Sequence, residues 1–425
     1  MKPKNLPLLK HDGINYTIPF ILLTSLFFMW GLANNMTDTL LAAFRRIMSL
    51  TDFQTSWIQI AFYCSYFCLA IPAALFIKRF SFKSGILLGL GMFIFGALLF
   101  YPASLTQMYG HFLAALFILA GGLSVLETTA NSYVIVMGSP ETATRRLNFA
   151  QAFNPIGSIS GVLLSKLFIL SHLNQATEQE RMAMSPQELE IIQQAELSAV
   201  MGPYVGVALI LVVLWILIFS VAMPKAFDSE KGTPFGATLL RLLKNPNYRW
   251  GVIAQFFYVG AQIGVWSFTI RYVMYELSVN EADASEYYLA ALILFTVCRF
   301  VFATIMKYFR AGTLLSISAM LAIIATLGAI VGSGHMGVIA LVAISAFMSL
   351  MFPTIFGLAV QGLGNDTKIG GAGLIMAILG GAVLTALQGV VSDQTGSIKL
   401  SFFVPVLCFV VILIYGIKMN RVKAE

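Results

Sequence analysis

Phe27-Phe28-Met29-Trp30-Gly31-Leu32-Ala33-Asn34-Asn35-Met36-Thr37-Asp38 places two side-chain amides and a carboxylate inside the first of twelve long apolar runs. An ionisable group at membrane depth costs about 3 kcal/mol or more, so it faces a cavity or a partner. On a helix Asn34 and Asp38 stand one turn apart on one face, with Asn35 beside them. The stretch Leu126-Glu127-Thr128-Thr129-Ala130-Asn131 repeats the device, with Glu127 and Asn131 again one turn apart. The two carboxylates are expected to line one cavity and to carry its proton chemistry.

The chain surrounding these stretches is 58% hydrophobic and only 11% charged over 425 residues. Soluble domains carry roughly 25% charged residues, and about 20 apolar residues in a row suffice to cross a bilayer. The composition therefore predicts an all-α, polytopic membrane protein. A net charge of +7 could in a soluble chain suggest nucleic acid. Here the basic residues fall in short loops on alternate sides, as the positive-inside rule requires, so they set orientation. Cys64, Cys68, Cys298 and Cys408 lie in apolar runs without C-x-x-C spacing, and are expected as small buried hydrophobes. The four histidines lie at or near run ends, so no metal site is expected, and nothing implies a cofactor.

Apolar runs near 17–44, 54–77, 84–104, 108–137, 147–171 and 203–223 are followed by six more, near 248–275, 285–307, 312–333, 336–362, 370–392 and 398–418. An even count puts both termini on one side, and the basic loops make that side cytoplasmic. Residues 1–223 form a first six-helix half, 224–247 a polar linker with Pro224, Gly232 and Pro234, and 248–425 a second half. A faint echo joins the halves: Lys78-Arg79-Phe80 recurs as Lys307-Tyr308-Phe309-Arg310, and Leu126 to Gly138 aligns without gaps on Leu350 to Gly362. Span count, linker and echo together match the layout of the major facilitator superfamily, two parallel repeats with a midplane site between them.

That alignment sets Glu127 and Asn131 against Met351 and Ile355, so the ionisable load lies in the first half. The second half offers Phe352-Pro353-Thr354-Ile355-Phe356. A cavity polar on one wall and aromatic on the other suits a sugar, which has hydroxyl edges and C–H faces. In the fifth run Asn148, Gln151 and Asn154 recur every three residues, a slowly drifting polar stripe. In the seventh Gln255, Tyr258, Gln262 and Trp266 share a helical face. Amides donate and accept, matching vicinal hydroxyls, although Asn and Gln also serve as bonds between helices. For Asp38 and Glu127 the structural alternative is an ion pair, for example with Arg299. Arg299 and Arg271 are themselves read as braces of the second half. Desolvation favours the neutral form of a carboxylic acid, so such a group can load a proton on one side and release it on the other. Gly157-x-x-x-Gly161 and the glycines at 370–373 and 380–381 mark close helix contacts.

Trp30 to Asp38, Leu126 to Asn131, Arg146-Leu147-Asn148-Phe149-Ala150-Gln151, Ala254 to Gln262, Trp266-Ser267 with Ile270-Arg271-Tyr272, and Phe352 to Phe356 resemble the fucose:proton symporter family. The resemblance runs over nearly the whole chain. It implies proton-driven uptake of L-fucose, by a monomer without cofactor, across a bacterial inner membrane. It also implies Asp38 and Glu127 as the protonatable pair, with Asn35, Gln151 and Asn154 near the sugar. Asn34, Asn131, Gln255, Tyr258, Gln262, Trp266 and Phe352 complete the expected binding set. Ser132 stands where the family pattern has proline, and Phe352 where it has tyrosine, which removes a hydroxyl. Glucose, galactose and N-acetylglucosamine therefore stay open beside fucose. Proton-driven efflux of amphipathic compounds and sugar sensing are competing readings, and no nucleophile–base arrangement suggests an enzyme.

Overall fold

The computed structural model describes residues 8–11, 13–47, 52–106, 108–169, 174, 178–224 and 234–421. The side chains of 37–47 and 52–56 fall outside that description. A small hairpin, β1 (Lys10–His11) against β2 (Ile14–Asn15), leads into α1 (Thr17–Ile47). Then come α2 (Asp52–Arg79), α3 (Phe82–Thr106), α4 (Tyr109–Val136), α5 (Ala143–Gln151), α6 (Phe153–Phe168), α7 (Glu178–Ala183) and α8 (Pro186–Ser220). The second series is α9 (Phe235–Lys244), α10 (Pro246–Leu277), α11 (Glu281–Ile305), α12 (Ala311–Val331), α13 (Gly334–Met348) and α14 (Met351–Ala359). It closes with α15 (Thr367–Met376), α16 (Gly380–Thr395), α17 (Ile398–Ser401) and α18 (Phe403–Arg421).

Eleven segments among the described residues are long and apolar enough to cross a membrane. The twelfth crossing is α5 and α6 end to end, interrupted at Ala152 and polar at Arg145, Arg146 and Asn148. Lipid offers backbone groups no hydrogen bonds, so helices are the structure such runs adopt. The helix that carries the sixth apolar run starts well before residue 203, because Ser185 and Glu188 form a capping box that begins α8 in the acidic stretch. The stretch 224–247 holds the amphipathic helix α9.

The cysteine expectation holds only in part. Cys408 is buried, whereas Cys64 and Cys68 are exposed.

The echo between the halves has a structural counterpart. Gly138 and Gly362 take φ of +90° and +78°, values that favour glycine, and each is followed by a 3-10 turn, Pro140–Thr142 and Gly364–Asp366. At the first of these turns Arg146, expected as a loop charge, is fully buried. Its guanidinium donates to the carbonyls of Val134 (2.8 Å) and Ile135 (2.8 Å) at the end of α4, and to Thr142 Oγ1 (2.9 Å). It also reaches Leu8 O (3.3 Å), tying down the segment before the β-hairpin. A helix end that lacks such partners would leave carbonyls unsatisfied.

In lipid, helix pairing rests on close packing. Along α1 and α6 the backbones touch. A methyl group at Gly157 would collide with the carbonyl of Phe28, one at Gly161 with that of Leu32, and one at Gly31 with that of Asn154. Gly157→Leu is therefore expected to abolish the monodisperse peak in size-exclusion chromatography. Gly206→Ala, on an open face of α8 with nothing within 4 Å, should leave that peak unchanged. A folded Gly157→Leu protein would show that the α1–α6 contact is dispensable.

Candidate functional site

α4 brings Glu127 and Asn131 into the interior, with Thr128 and Ser132 alongside, all of them buried. Glu127 is 2% exposed, and among the described residues it forms no salt bridge. Its Oε2, Thr128 Oγ1, Asn131 Nδ2 and Ser132 Oγ have no hydrogen-bond partner among those residues. An unsatisfied buried polar atom costs about 1–3 kcal/mol, so four on little more than one helical turn point to a functional role. Tyr66 on α2, which the sequence pattern did not single out, is buried close to Glu127 and to Trp30 on α1.

The amides of the fifth span do not share one wall. Steps of three residues turn a helix by about 300°, so successive side chains drift by about 60°. Asn148 donates to Thr354 Oγ1 on α14 (3.1 Å), Gln151 to Asn131 Oδ1 on α4 (2.7 Å), and Asn154 to the carbonyl of Phe27 on α1 (3.2 Å). Gln151 and Asn131 thus meet directly, while Asn148 serves contact between the fifth and tenth spans. Asn35 is half-buried and donates to Gly31 O (3.3 Å), and Asn34 is half-buried beside it. Asp38 stands on α1, but its side chain lies outside the described residues.

On α10 the predicted face is real but mixed. Gln255 is fully buried, and neither end of its amide has a partner among the described residues. Tyr258 donates to Met348 O (3.2 Å), so its hydroxyl is committed to the break between α13 and α14 and its ring to an edge contact with Phe352. Gln262 and Trp266 are half-buried. Trp266 donates to Ser345 Oγ (3.2 Å) and meets Phe295 edge-on at 5.0 Å.

Arg299, on α11, joins these parts. Pro155 has no N–H for the carbonyl of Gln151, and Pro353 has none for that of Ser349, so each proline leaves a carbonyl without its helical partner. Arg299 Nη1 donates to Gln151 O (3.1 Å) and its Nε to Ser349 O (2.6 Å). One guanidinium, 4% exposed and seated on the Phe295 ring at 4.7 Å, satisfies both, one in the fifth span and one in the tenth. It is a brace, as expected from the sequence, but one that crosses to the first six spans. Prolines four residues after the two carbonyls are the signal that would have revealed it.

Further contacts between the first and last six spans gather toward the basic loops. Thr144 packs on Gly357, Ser132 on Gly371, and Phe300 edge-on to Phe149 and Phe153. Lys368 lies 5.1 Å from the Phe82 ring centroid. The molecule is closed on that side. An open recess of about 490 Å³ between α1, α6 and α8, lined by Met36, Leu164, Phe168 and Val207, is apolar and lies apart from these groups. No cluster of metal-binding side chains occurs among the described residues.

A family model for the Major Facilitator Superfamily matches residues 21–383. The chain is 40% identical over 418 residues to an L-fucose-proton symporter of Haemophilus influenzae, covering 96% of this chain and 97% of the relative. It is 35% identical over 413 residues to a glucose/galactose transporter of Brucella abortus, covering 95% and 94%. The crystal structure of FucP, a Major Facilitator Superfamily transporter in the outward conformation, superposes with a TM-score of 0.90 at 39% identity, over 95% of this chain and 99% of that one. The chain belongs to the Major Facilitator Superfamily, a multi-pass membrane transporter and not an enzyme. Within it the chain groups with the fucose:proton symporters, as the residues quoted for that resemblance imply.

The double capping by Arg299 is open to a mutant cycle. Arg299→Gln is expected to lower the melting temperature in detergent. In a Pro155→Ala background, where Gln151 O regains an amide donor, the same change should cost about 1 kcal/mol less. Strictly additive losses would show that the Gln151 carbonyl does not depend on Arg299.

Proposed function

We propose that this protein is a proton-coupled sugar symporter that imports L-fucose, or a hexose close to it, across a bacterial inner membrane. The observation that carries this reading is Glu127, a carboxyl buried at membrane depth with Oε2 unpartnered among the described residues, one turn from an amide whose nitrogen is likewise unpartnered among them. A group in that setting gains or loses a proton at low electrostatic cost only when a ligand or water completes its shell. Family membership supports transport, and the relatives' names support a sugar with a proton as cargo. The names divide between fucose and glucose/galactose, so the sugar is the finer part of the proposal.

In the proposed cycle residues 1–223 and 248–425 move as two halves about the linker 224–247, with both termini cytoplasmic and one chain sufficient. The closure at the basic loops is then the cytoplasmic seal, which agrees with the similarity to an outward conformation. Glu127 and Asp38 form the protonatable pair, and Glu127 takes up the proton from outside. Asn34, Asn35, Asn131, Gln151 and Asn154 offer hydrogen bonds to the hydroxyls. Gln255 and Gln262 do so from α10, while Phe352, Trp266 and the Tyr258 ring supply the apolar face. Neutral Glu127 lets the halves pass through an occluded state without carrying a bare charge, and sugar and proton leave together on the inside.

Counterflow of radiolabelled fucose, glucose and galactose in proteoliposomes, with and without a pH gradient, tests this directly. Glu127→Gln is expected to keep sugar exchange and lose gradient-driven accumulation. Uphill uptake by that variant at the wild-type level removes Glu127 from the coupling. Asp38→Asn should lose accumulation as well. Intact affinity, accumulation and sugar-induced pH change would leave Asp38 structural. Failure of every sugar to exchange, alongside transport of hydrophobic cations, would favour efflux instead.

A further inference from the structure

The short helix α9 is bound to the protein along only part of its surface. Thr238 and Leu242 are buried against the body of the molecule. At 100° per residue, Leu239, Leu243 and Leu240 form the next strip around the helix, and all three are exposed. Lys244 and Arg241 follow beyond them on the far side. A helix divided into a protein flank, an apolar flank and a basic flank fits the plane of a membrane interface, with leucines in the acyl boundary and cations at headgroup level.

Its surroundings carry the same chemistry. The helix immediately precedes the membrane span α10, whose first turns expose Arg249 and Trp250. Lys418 lies 5.2 Å from the Trp250 ring centroid. Tryptophan beside basic side chains is characteristic of the membrane–water boundary. Among the described residues, the neighbouring acid Asp366 is taken up by Arg241 in a two-pronged ion pair (2.9 and 2.7 Å). Lys244, at the end of α9, and Arg249, in the first turn of α10, are exposed cations.

We propose that α9 docks on the anionic phospholipid headgroups of the leaflet on the basic side of the protein, with Leu239, Leu240 and Leu243 inserted and Lys244 and Arg249 on the phosphates. Arg241 connects this contact to the seam between the halves, since its partner Asp366 stands two residues before Lys368, which covers Phe82.

The test uses the full-length protein in nanodiscs of phosphatidylcholine alone, and of phosphatidylcholine with phosphatidylglycerol in equal parts. The readout is amide hydrogen exchange over 235–250, which needs no sugar and can fail or succeed independently of the transport assignment. Exchange is expected to be slower in the anionic discs, by about fivefold for each basic side chain engaged. The difference should vanish at high salt and in Lys244→Gln/Arg249→Gln. Leu240→Asn/Leu243→Asn should speed exchange in both bilayers. Equal exchange in the two lipids overturns the proposal in favour of plain burial of the leucines. A difference that survives the double charge substitution overturns it too, and leucine variants without effect would assign the face to a protein partner instead.

Discussion

Two carbonyls that no helix can satisfy hold the centre of this molecule together. Proline at 155 and at 353 interrupts the fifth and tenth spans, and in a bilayer the freed oxygens of Gln151 and Ser349 have no solvent to turn to. Arg299 satisfies both from a third helix, and the Phe295 ring supports its guanidinium. A buried cation that would otherwise be costly becomes the bond between two sets of spans. The same fifth span is interrupted at Ala152, between Gln151 and Asn154.

Around that centre the fold distributes polarity unevenly. Where helices only need to pack, small residues bring backbones into contact, as Gly31, Gly157 and Gly161 do between α1 and α6. Where helices end, carbonyls are capped by cations: Arg146 closes α4, and Lys83 donates to Phe219 O and Val221 O at the end of α8. Outside the centre, Lys399 pairs with Glu276 at 3.0 Å, and Glu276 accepts from Gly334 N at 2.7 Å, so the acidic-side loops of the last spans are tied as well. Among the described residues, buried polar atoms without a hydrogen-bond partner occur elsewhere too, at Ser165, Ser318 and Gln388 for example, but on α4 four of them fall within six residues.

Much of this was legible in the residues. Glu127 and Asn131 announce themselves because a carboxylate and an amide one turn apart in an apolar run are too costly to keep there unless a cavity or a partner receives them. The gapless match of Leu126–Gly138 with Leu350–Gly362 reappears as two left-handed glycines followed by 3-10 turns. Other features were missed or misread because local pattern carries no information about neighbours. Asn148, Gln151 and Asn154 read as a drifting stripe in sequence, but which helix each addresses could not be read there: they bond to α14, α4 and α1. Arg146 looks like a loop charge and is a buried cap. The leucines of α9 were hidden in a segment whose prolines and glycines read as linker.

By itself, the sequence determined that the chain crosses a membrane about a dozen times, that the carboxylates within its apolar runs lie in the early spans, and which family it resembles. Each of these follows from composition and spacing along one helix, which a linear pattern encodes. Only the tertiary structure decided that Arg299 spans two proline-freed carbonyls, that Gln151 turns to Asn131, and that the seam closes at the basic loops. Those outcomes depend on which acceptor faces which donor across separations of 20 residues between Gln151 and Asn131, 50 between Arg299 and Ser349, and 148 between Arg299 and Gln151. No periodicity records such a meeting, because it is set by how whole helices pack.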